Sequence, residues 1–413
     1  MRAEEGGADR SRPLRYAVAG LGGIARTHLA GLRAAPFVLR GGAPVPVELA
    51  AVVVGPARAA EAAALGFAQV QVVEGPRGAR EVAEAVRALA GQVDFLDVCL
   101  PNGLHAAAAG AAAEAGLAVY CEKPLTGDLG EARALAERAR ATEGVRKPFG
   151  LAYNLRFDRN LALVRAFLAA GLLGEPLHFR LRMFHGGYLD PRRPRNWKFD
   201  PELARGGALV DLGSHLLDLV GYLFGPLGEA GRVSGLRARL RTFAASRAGG
   251  LLGTEGHRVD DWAEVELTLA GGAEGTVEVS RMADGGEGTW VEVYGSRGSA
   301  RVDVEAGSLD LWLRERRRHA RAAAADLATW AEAGADGGEA LRWYRRVEEL
   351  LPPPARSLGR MADTHLASLA FWLEATAGGG RPQAAPAGAA GLEAGVAVEE
   401  LLDRAWRAAE IGG

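Results

Sequence analysis

The sequence predicts an α/β unit built on a doubly wound parallel sheet, followed by an α+β unit with a mainly antiparallel open sheet. Three observations carry this. Strand and helix patterns alternate from residue 14 to about residue 150. A glycine-rich turn joins the first strand directly to the first helix. From residue 177 strands follow one another through short Gly-rich turns, the habit of antiparallel sheets. The predicted division is a flexible leader over 1–13, a first domain over 14–150 and a second over 151–413.

The first strand, Leu14 to Ala19, runs into Gly20-Leu21-Gly22-Gly23-Ile24-Ala25 and a helix to about Ala34. This is G-x-G-x-x-A between a strand and a helix, the setting of a dinucleotide cradle in a Rossmann fold. Gly20 permits the tight turn. Gly22 lets a pyrophosphate approach the backbone, with Gly23 and Ile24 at the helix start. Ala25 is small enough for helix and strand to pack closely. NAD or NADP is the expected cofactor. The second strand, Val47 to Val54, ends in Val54-Gly55-Pro56-Ala57-Arg58, without the acid that usually meets the adenosine ribose of NAD. Arg58 is available to a ribose phosphate, or is an ordinary surface arginine.

A buried strand over Val93 to Leu100 ends in Pro101-Asn102-Gly103-Leu104-His105, and another over Leu117 to Cys121 runs into Glu122-Lys123-Pro124. Ligands of open parallel sheets bind at such strand ends, so Pro101, Asn102, His105, Glu122 and Lys123 are candidate site residues. A lysine there can favour a substrate alkoxide. His105 is equally a helix-start residue. Helices are expected over 79–90 and 129–141, and a last strand of the first domain over 148–154.

In the second domain a helix is expected over 157–170. Strands are expected over 178–184, 259–270, 273–281, 289–295 and 300–304, with alternation marking a sheet with one wet or covered face. Between them lies Gly206-Gly207 through Asp218. Asp211, His215 and Asp218 follow helical spacing on one face of an otherwise apolar helix. Buried carboxylates and an imidazole must be paired or used. Histidine suits proton transfer near neutral pH, and a neighbouring carboxylate can orient it and raise its basicity. The loop before this helix offers Asn196, Trp197 or an arginine to a substrate. The basic run Arg314 to Arg321 reads as the solvated start of an Ala-rich helical tract. Further helices are expected over 325–350, 358–376 and 392–409, with a Gly/Pro/Ala loop over 378–391.

Of 413 residues 48% are apolar, enough for substantial cores. The 49 basic and 51 acidic side chains leave a formal net charge of −2, so nucleic acid and membrane partners are not expected. No segment reads as a signal peptide or membrane span. Cys99 and Cys121 lie in or beside apolar runs, which suits a reducing, cytoplasmic setting. No His or Cys cluster has metal-ligand spacing, so no metal is expected.

The Gly20–Ala25 turn, Pro101-Asn102 with His105, Cys121-Glu122-Lys123-Pro124, Tyr153-Asn154 with Arg156, and Gly206-Gly207 through Asp218 together resemble the Gfo/Idh/MocA oxidoreductases. That is the group of glucose–fructose oxidoreductase, inositol dehydrogenase and rhizopine catabolism. The resemblance covers roughly residues 14–305. It implies an NAD(P)-dependent dehydrogenase acting on a sugar, inositol or related polyol, and a homodimer or homotetramer assembled through the second sheet. It implies Lys123, Asp211 and His215 as the catalytic set, with Tyr153, Asn154 and Arg156 beside them on the substrate side, where the loop residue Trp197 is also a candidate. Combined with the residue chemistry, His215 takes the hydroxyl proton, Asp211 supports it and Lys123 stabilises the alkoxide. The rivals are a carbonyl reductase, a sugar–sugar hydride-exchange enzyme with tightly held cofactor, and a non-catalytic dinucleotide-binding regulator.

Overall fold

The computed structural model describes residues 12–39, 45–74, 78–141, 147–188, 190, 196–243, 259–314, 318–320, 338–378 and 388–412. The first unit is a six-stranded parallel sheet. Its strands are β1 (Leu14–Ala19), β2 (Val47–Val54), β3 (Gln69–Val72), β4 (Phe95–Val98), β5 (Ala118–Cys121) and β6 (Phe149–Leu151), in spatial order β3-β2-β1-β4-β5-β6. The order reverses between β1 and β4, so the loops after those strands part there and open a crevice. Tyr16 to Ala19 and all of β4 and β5 are buried, which explains their nearly continuous apolar runs. Helices α1 (Gly23–Val38), α2 (Ala59–Ala64), α3 (Ala79–Arg87), α4 (His105–Glu114) and α5 (Leu129–Ala141) provide the crossovers.

The second sheet has nine strands. After α6 (Arg159–Ala169) come β7 (Pro176–Phe184), β8 (Val233–Arg241), β9 (Trp262–Leu269), β10 (Glu274–Ser280), β11 (Gly288–Gly295), β12 (Gly298–Asp303), β13 (Ser308–Leu313), β14 (Arg318–Ala320) and β15 (Ala409–Gly412). Their spatial order is β14-β13-β12-β11-β7-β10-β9-β8-β15. Pairing is antiparallel except at β7–β10 and β8–β15. In β9, Ala263, Val265, Leu267 and Leu269 face the core, and Glu264 and Glu266 face outward.

Five strands depart from expectation, the first being the short edge strand β3, Gln69–Val72, whose partly exposed Gln-Val-Gln-Val carries little apolar signal. β8 reads Val-Ser-Gly-Leu-Arg-Ala-Arg-Leu-Arg, with Arg237 and Arg239 opposite Glu266 and Glu264 of β9. Its arginines are the outer face of a strand whose inner face is Ala238 and Leu240. β13, β14 and β15 are the others. β14 falls within the basic run expected to be helical; residues 321–337 lie outside the described residues, as do Arg192, Arg193 and Arg195. Among the described residues the α-helices after β14 are Glu339–Leu350, Arg360–Ala377 and Leu392–Ala408. The last two pack back against the first unit: Leu151 donates its N–H to Ala390, and Tyr120 its hydroxyl to Ser368 at 2.8 Å.

Two helices position the site, α7 (Pro201–Ala204) and α8 (Ser214–Phe224), with a π-helical turn, Leu209–Gly213, between them. The apolar stretch Pro201–Gly231 is long enough to cross a membrane by composition, but it is a core element here. Asp260 caps its start. Its carboxylate accepts from Gly207 N at 2.8 Å and Leu209 N at 2.7 Å, and its carbonyl accepts from Ala208 N. A Cβ on Gly207 would lie 1.9 Å from the Asp260 carbonyl oxygen. Gly207→Ala therefore forces two backbones apart. It is expected to lower stability by about 1–3 kcal/mol in a chemical denaturation series; an unchanged midpoint would contradict the close approach.

Candidate active site

A cavity of about 480 Å³ opens where the two units meet. The first unit contributes Gly22, Gly23 and Ile24 after β1, Leu100 and Asn102 after β4, and Glu122 and Lys123 after β5. The second contributes His185 after β7, Trp197 and Lys198 from the loop before α7, and Asp211 and His215 around the π turn. The dinucleotide cradle, the loop lysine and the acid–imidazole stretch thus share one space.

The cradle fits a dinucleotide by its free volume. Gly20 has φ +91°, and a Cβ there would lie 2.6 Å from the Cys99 carbonyl oxygen, so only glycine makes the turn. Added Cβ atoms on Gly22 and Gly23 would meet nothing within 4 Å. No side chain caps the N-terminus of α1 and no acid stands in its first turn. Its N–H groups are therefore left for pyrophosphate oxygens. Arg58 is exposed on the turn after β2 and donates to Glu61 at 2.9 Å. Arg26 forks onto the same carboxylate at 2.7 and 3.0 Å, and the two arginines hold Glu61 down to about 2.

Asp211 is the electrostatic centre. Its carboxylate meets Lys123 Nζ at 3.1 Å, Lys198 Nζ at 2.8 Å and an Arg281 guanidinium nitrogen at 3.1 Å. Lys123 Nζ also donates to the Asp211 carbonyl at 2.7 Å. Burial alone would push this carboxyl up, but Lys198, Lys123 and Arg281 together hold it well below the ordinary aspartate range. Asp211 therefore serves the cations and makes no hydrogen bond to His215. That departs from the expected acid–imidazole pair, and the π turn gives the reason. Its wider winding displaces the side chains that regular helical spacing would stack. His215 Nδ1 is buried without a hydrogen-bond partner among the described residues. Burial and then Lys123 lower its pKa well below the usual imidazole value, outweighing Asp211.

Other expected site residues separate. Asn102 lines the cavity and donates to the Ala204 carbonyl at 2.8 Å, tying the two units together. Asn154 lines it as well and donates to Thr364 Oγ1 at 2.9 Å. Tyr153 stands behind His215, edge-on with ring centroids 6.1 Å apart. His105 departs from a cofactor role: its ring nitrogens face the backbone carbonyls of Pro124 at 2.9 Å and Leu100 at 2.8 Å. It pins two strand-end loops from beneath. Arg156 departs from a substrate role. It is locked in a buried fork with Asp218 at 2.8 and 2.7 Å, and Asp218 is thereby absent from the site stripe.

Residues that sequence reasoning missed come from distant segments. Lys198 follows Trp197, and its turn is held by Asn196, whose Oδ1 accepts from Lys198 N at 2.9 Å. Arg281 follows the C-terminal end of β10, a position visible in the strand pattern. Glu399, on helix Leu392–Ala408, accepts from Thr126 N and Gly127 N, each at 2.8 Å. It thereby clamps the loop that carries Lys123.

Comparison with known proteins names the family. Residues 14–146 match the description "Oxidoreductase family, NAD-binding Rossmann fold", and residues 161–301 match "GFO/IDH/MocA C-terminal domain". The chain belongs to the Gfo/Idh/MocA family. Among its relatives, levoglucosan dehydrogenase of Pseudarthrobacter phenanthrenivorans is 32% identical over 221 residues, 52% of this chain and 56% of that protein. Myo-inositol 2-dehydrogenase of Thermotoga maritima is 28% identical over 211 residues, 51% of this chain and 57% of that protein. These alignments span about half the length of the curated relatives. Over whole folds, a solved levoglucosan dehydrogenase in complex with NADH and levoglucosan superposes with TM-score 0.73 at 26% identity, covering 96% of this chain and 97% of the other. An NAD binding oxidoreductase from Klebsiella pneumoniae gives 0.70 at 25%, covering 96% of each chain. This Gfo/Idh/MocA protein thus pairs an NAD-binding Rossmann domain with the family's sheet domain.

Proposed function

We propose that the protein is an NAD(P)-dependent dehydrogenase that oxidises a hydroxyl of a sugar, inositol or related polyol. One observation carries the reading: the Gly22–Gly23 turn, the Lys123 ammonium and the His215 imidazole line a single cavity. The dinucleotide, held by the Gly20–Ala25 turn, supplies the hydride acceptor. His215 is neutral near pH 7, since burial and Lys123 disfavour its charged form, so it can accept the hydroxyl proton. Lys123 uses two of its three donors on the Asp211 carbonyl and carboxylate. The third serves the developing alkoxide. Asp211 is a positioning residue that aims this ammonium. Trp197 and Leu212 offer apolar wall for the C–H face of a sugar ring beside the polar groups.

The names of the relatives support the substrate class, since one acts on levoglucosan and another on myo-inositol. Screening sugars, anhydrosugars, inositols and polyols with NAD and with NADP, by absorbance of the reduced nicotinamide, is expected to find turnover. Bound NADH with no turnover on any hydroxyl or carbonyl compound would instead make the protein a sensor. The pH profile is a second check. Protonated His215 is inactive as a base, and its pKa lies well below the ordinary 6.5. The acid limb of kcat/KM is therefore expected below the usual histidine range. A limb centred near 6.5 would assign the base elsewhere. The outer face of the nine-stranded sheet is the surface we propose for a homodimer or homotetramer, read by light scattering. The buried free thiols of Cys99 and Cys121 support a cytoplasmic setting.

A further inference from the structure

Beneath the cavity lies a buried cluster that the proposed reaction does not use. His28 comes from α1, Asp97 from β4, Glu122 from the end of β5, and His365 from helix Arg360–Ala377. His28 and Asp97 are 2% and 0% exposed. The Asp97 carboxylate accepts the Tyr16 hydroxyl at 2.5 Å, His28 Nδ1 at 2.9 Å and the Cys99 thiol at 3.3 Å. Three donors satisfy it. With Nδ1 turned to the Asp97 carboxylate as donor, the neutral ring presents the Nε2 lone pair on the other side.

What Nε2 faces is unusual. It lies 3.4 Å from His365 Nδ1 and 3.6 Å from Glu122 Oε1. Glu122 Oε1 is buried and has no hydrogen-bond partner among the described residues. The three atoms lie within 4.8 Å of one another. Around a tetrahedral zinc ion with bonds of about 2.0–2.1 Å, ligand atoms stand roughly 3.3–3.4 Å apart. The two short spacings are close to edges of such a tetrahedron.

We propose that His28 Nε2, Glu122 Oε1 and His365 Nδ1 bind a divalent transition metal of the zinc class, with Asp97 orienting His28 from behind. The donor set of two histidines and one carboxylate suits zinc. A carboxylate hydrogen-bonded to the far nitrogen of a ligand histidine is the outer support such sites use. Glu122 and His365 also line the cavity, so the fourth position opens toward it. The alternative triad of His28, Asp97 and Cys99 needs Nδ1 as the ligand, the nitrogen turned to the Asp97 carboxylate at 2.9 Å. The ligands come from positions 28, 122 and 365, which is why no spacing motif announces them. The inference rests on these side chains alone and holds or fails independently of the dehydrogenase reading.

The test uses the full chain stripped with a chelator and titrated with Co²⁺, and with Zn²⁺ in competition against a chromophoric chelator. One equivalent per chain is expected, with the visible absorption of tetrahedral Co²⁺. His365→Gln is expected to weaken binding at least tenfold, and Asp97→Asn by roughly 10–100-fold through the lost outer support. Wild-type protein that takes up no stoichiometric metal would overturn the proposal, whatever the variants do. So would binding undiminished in a folded His365→Gln protein, or a Co²⁺ spectrum of octahedral type.

Discussion

Replacing His215 by alanine is expected to lower turnover about 10²–10⁴-fold, the range for loss of a general base, while NADH binding stays within a few-fold of wild type. The imidazole is a lining group of the cavity, and its buried Nδ1 has no hydrogen-bond partner among the described residues. It is not part of the Gly20–Ala25 cradle, so the dinucleotide should dock as before. Lys123→Met is the companion. It removes the donor aimed at the alkoxide and also leaves Asp211 with two cations instead of three. The loss should fall on kcat rather than on substrate KM, because the alkoxide charge exists only in the transition state. The measurement is steady-state kinetics beside NADH fluorescence titration. Wild-type turnover in His215→Ala would move the proton to another group; His185, which also lines the cavity, would be examined next.

The largest stability effect is expected at Asp218→Ala. This strips the partner from Arg156, which is 7% exposed and also lies over the Tyr222 ring at 5.4 Å. Breaking a buried ion pair by removing one member typically costs about 3–5 kcal/mol, because the remaining charge is left without compensation. Guanidinium denaturation reads this directly. The same experiment separates two roles for Arg156. A structural fork predicts a large drop in midpoint with KM little changed in the surviving folded fraction. A substrate contact predicts the reverse.

These two residues show how far the sequence could be read. Asp211, His215 and Asp218 share one helical period, and periodicity alone assigns them a common face. The π turn at Leu209–Gly213 breaks that register, and i→i+5 winding leaves no mark in apolar spacing. The pairing of Arg156 with Asp218 spans 62 residues and is equally invisible. In the parallel sheet β1, β4 and β5 were legible because they are buried on both faces and end in turns with recognisable chemistry, whereas the short, partly exposed edge strand β3 was not. The Gly20–Ala25 turn and the Glu122-Lys123-Pro124 element were legible for the same reason. In the second sheet the expected strands carried clean alternation, as β9 does. β8 escaped because arginines fill its outer face. Lys198, Arg281 and Glu399 act through approaches between distant segments, which local pattern does not encode.

The grip of Glu399 on the Thr126 and Gly127 amides bears on protein engineering. A chimera cut once near residue 150 would graft a foreign closing helix under the donor's lysine loop and leave two amides without their acceptor. Recombination is better made with paired crossovers, the second before residue 392, so that each nucleotide-binding half travels with the helix that secures it.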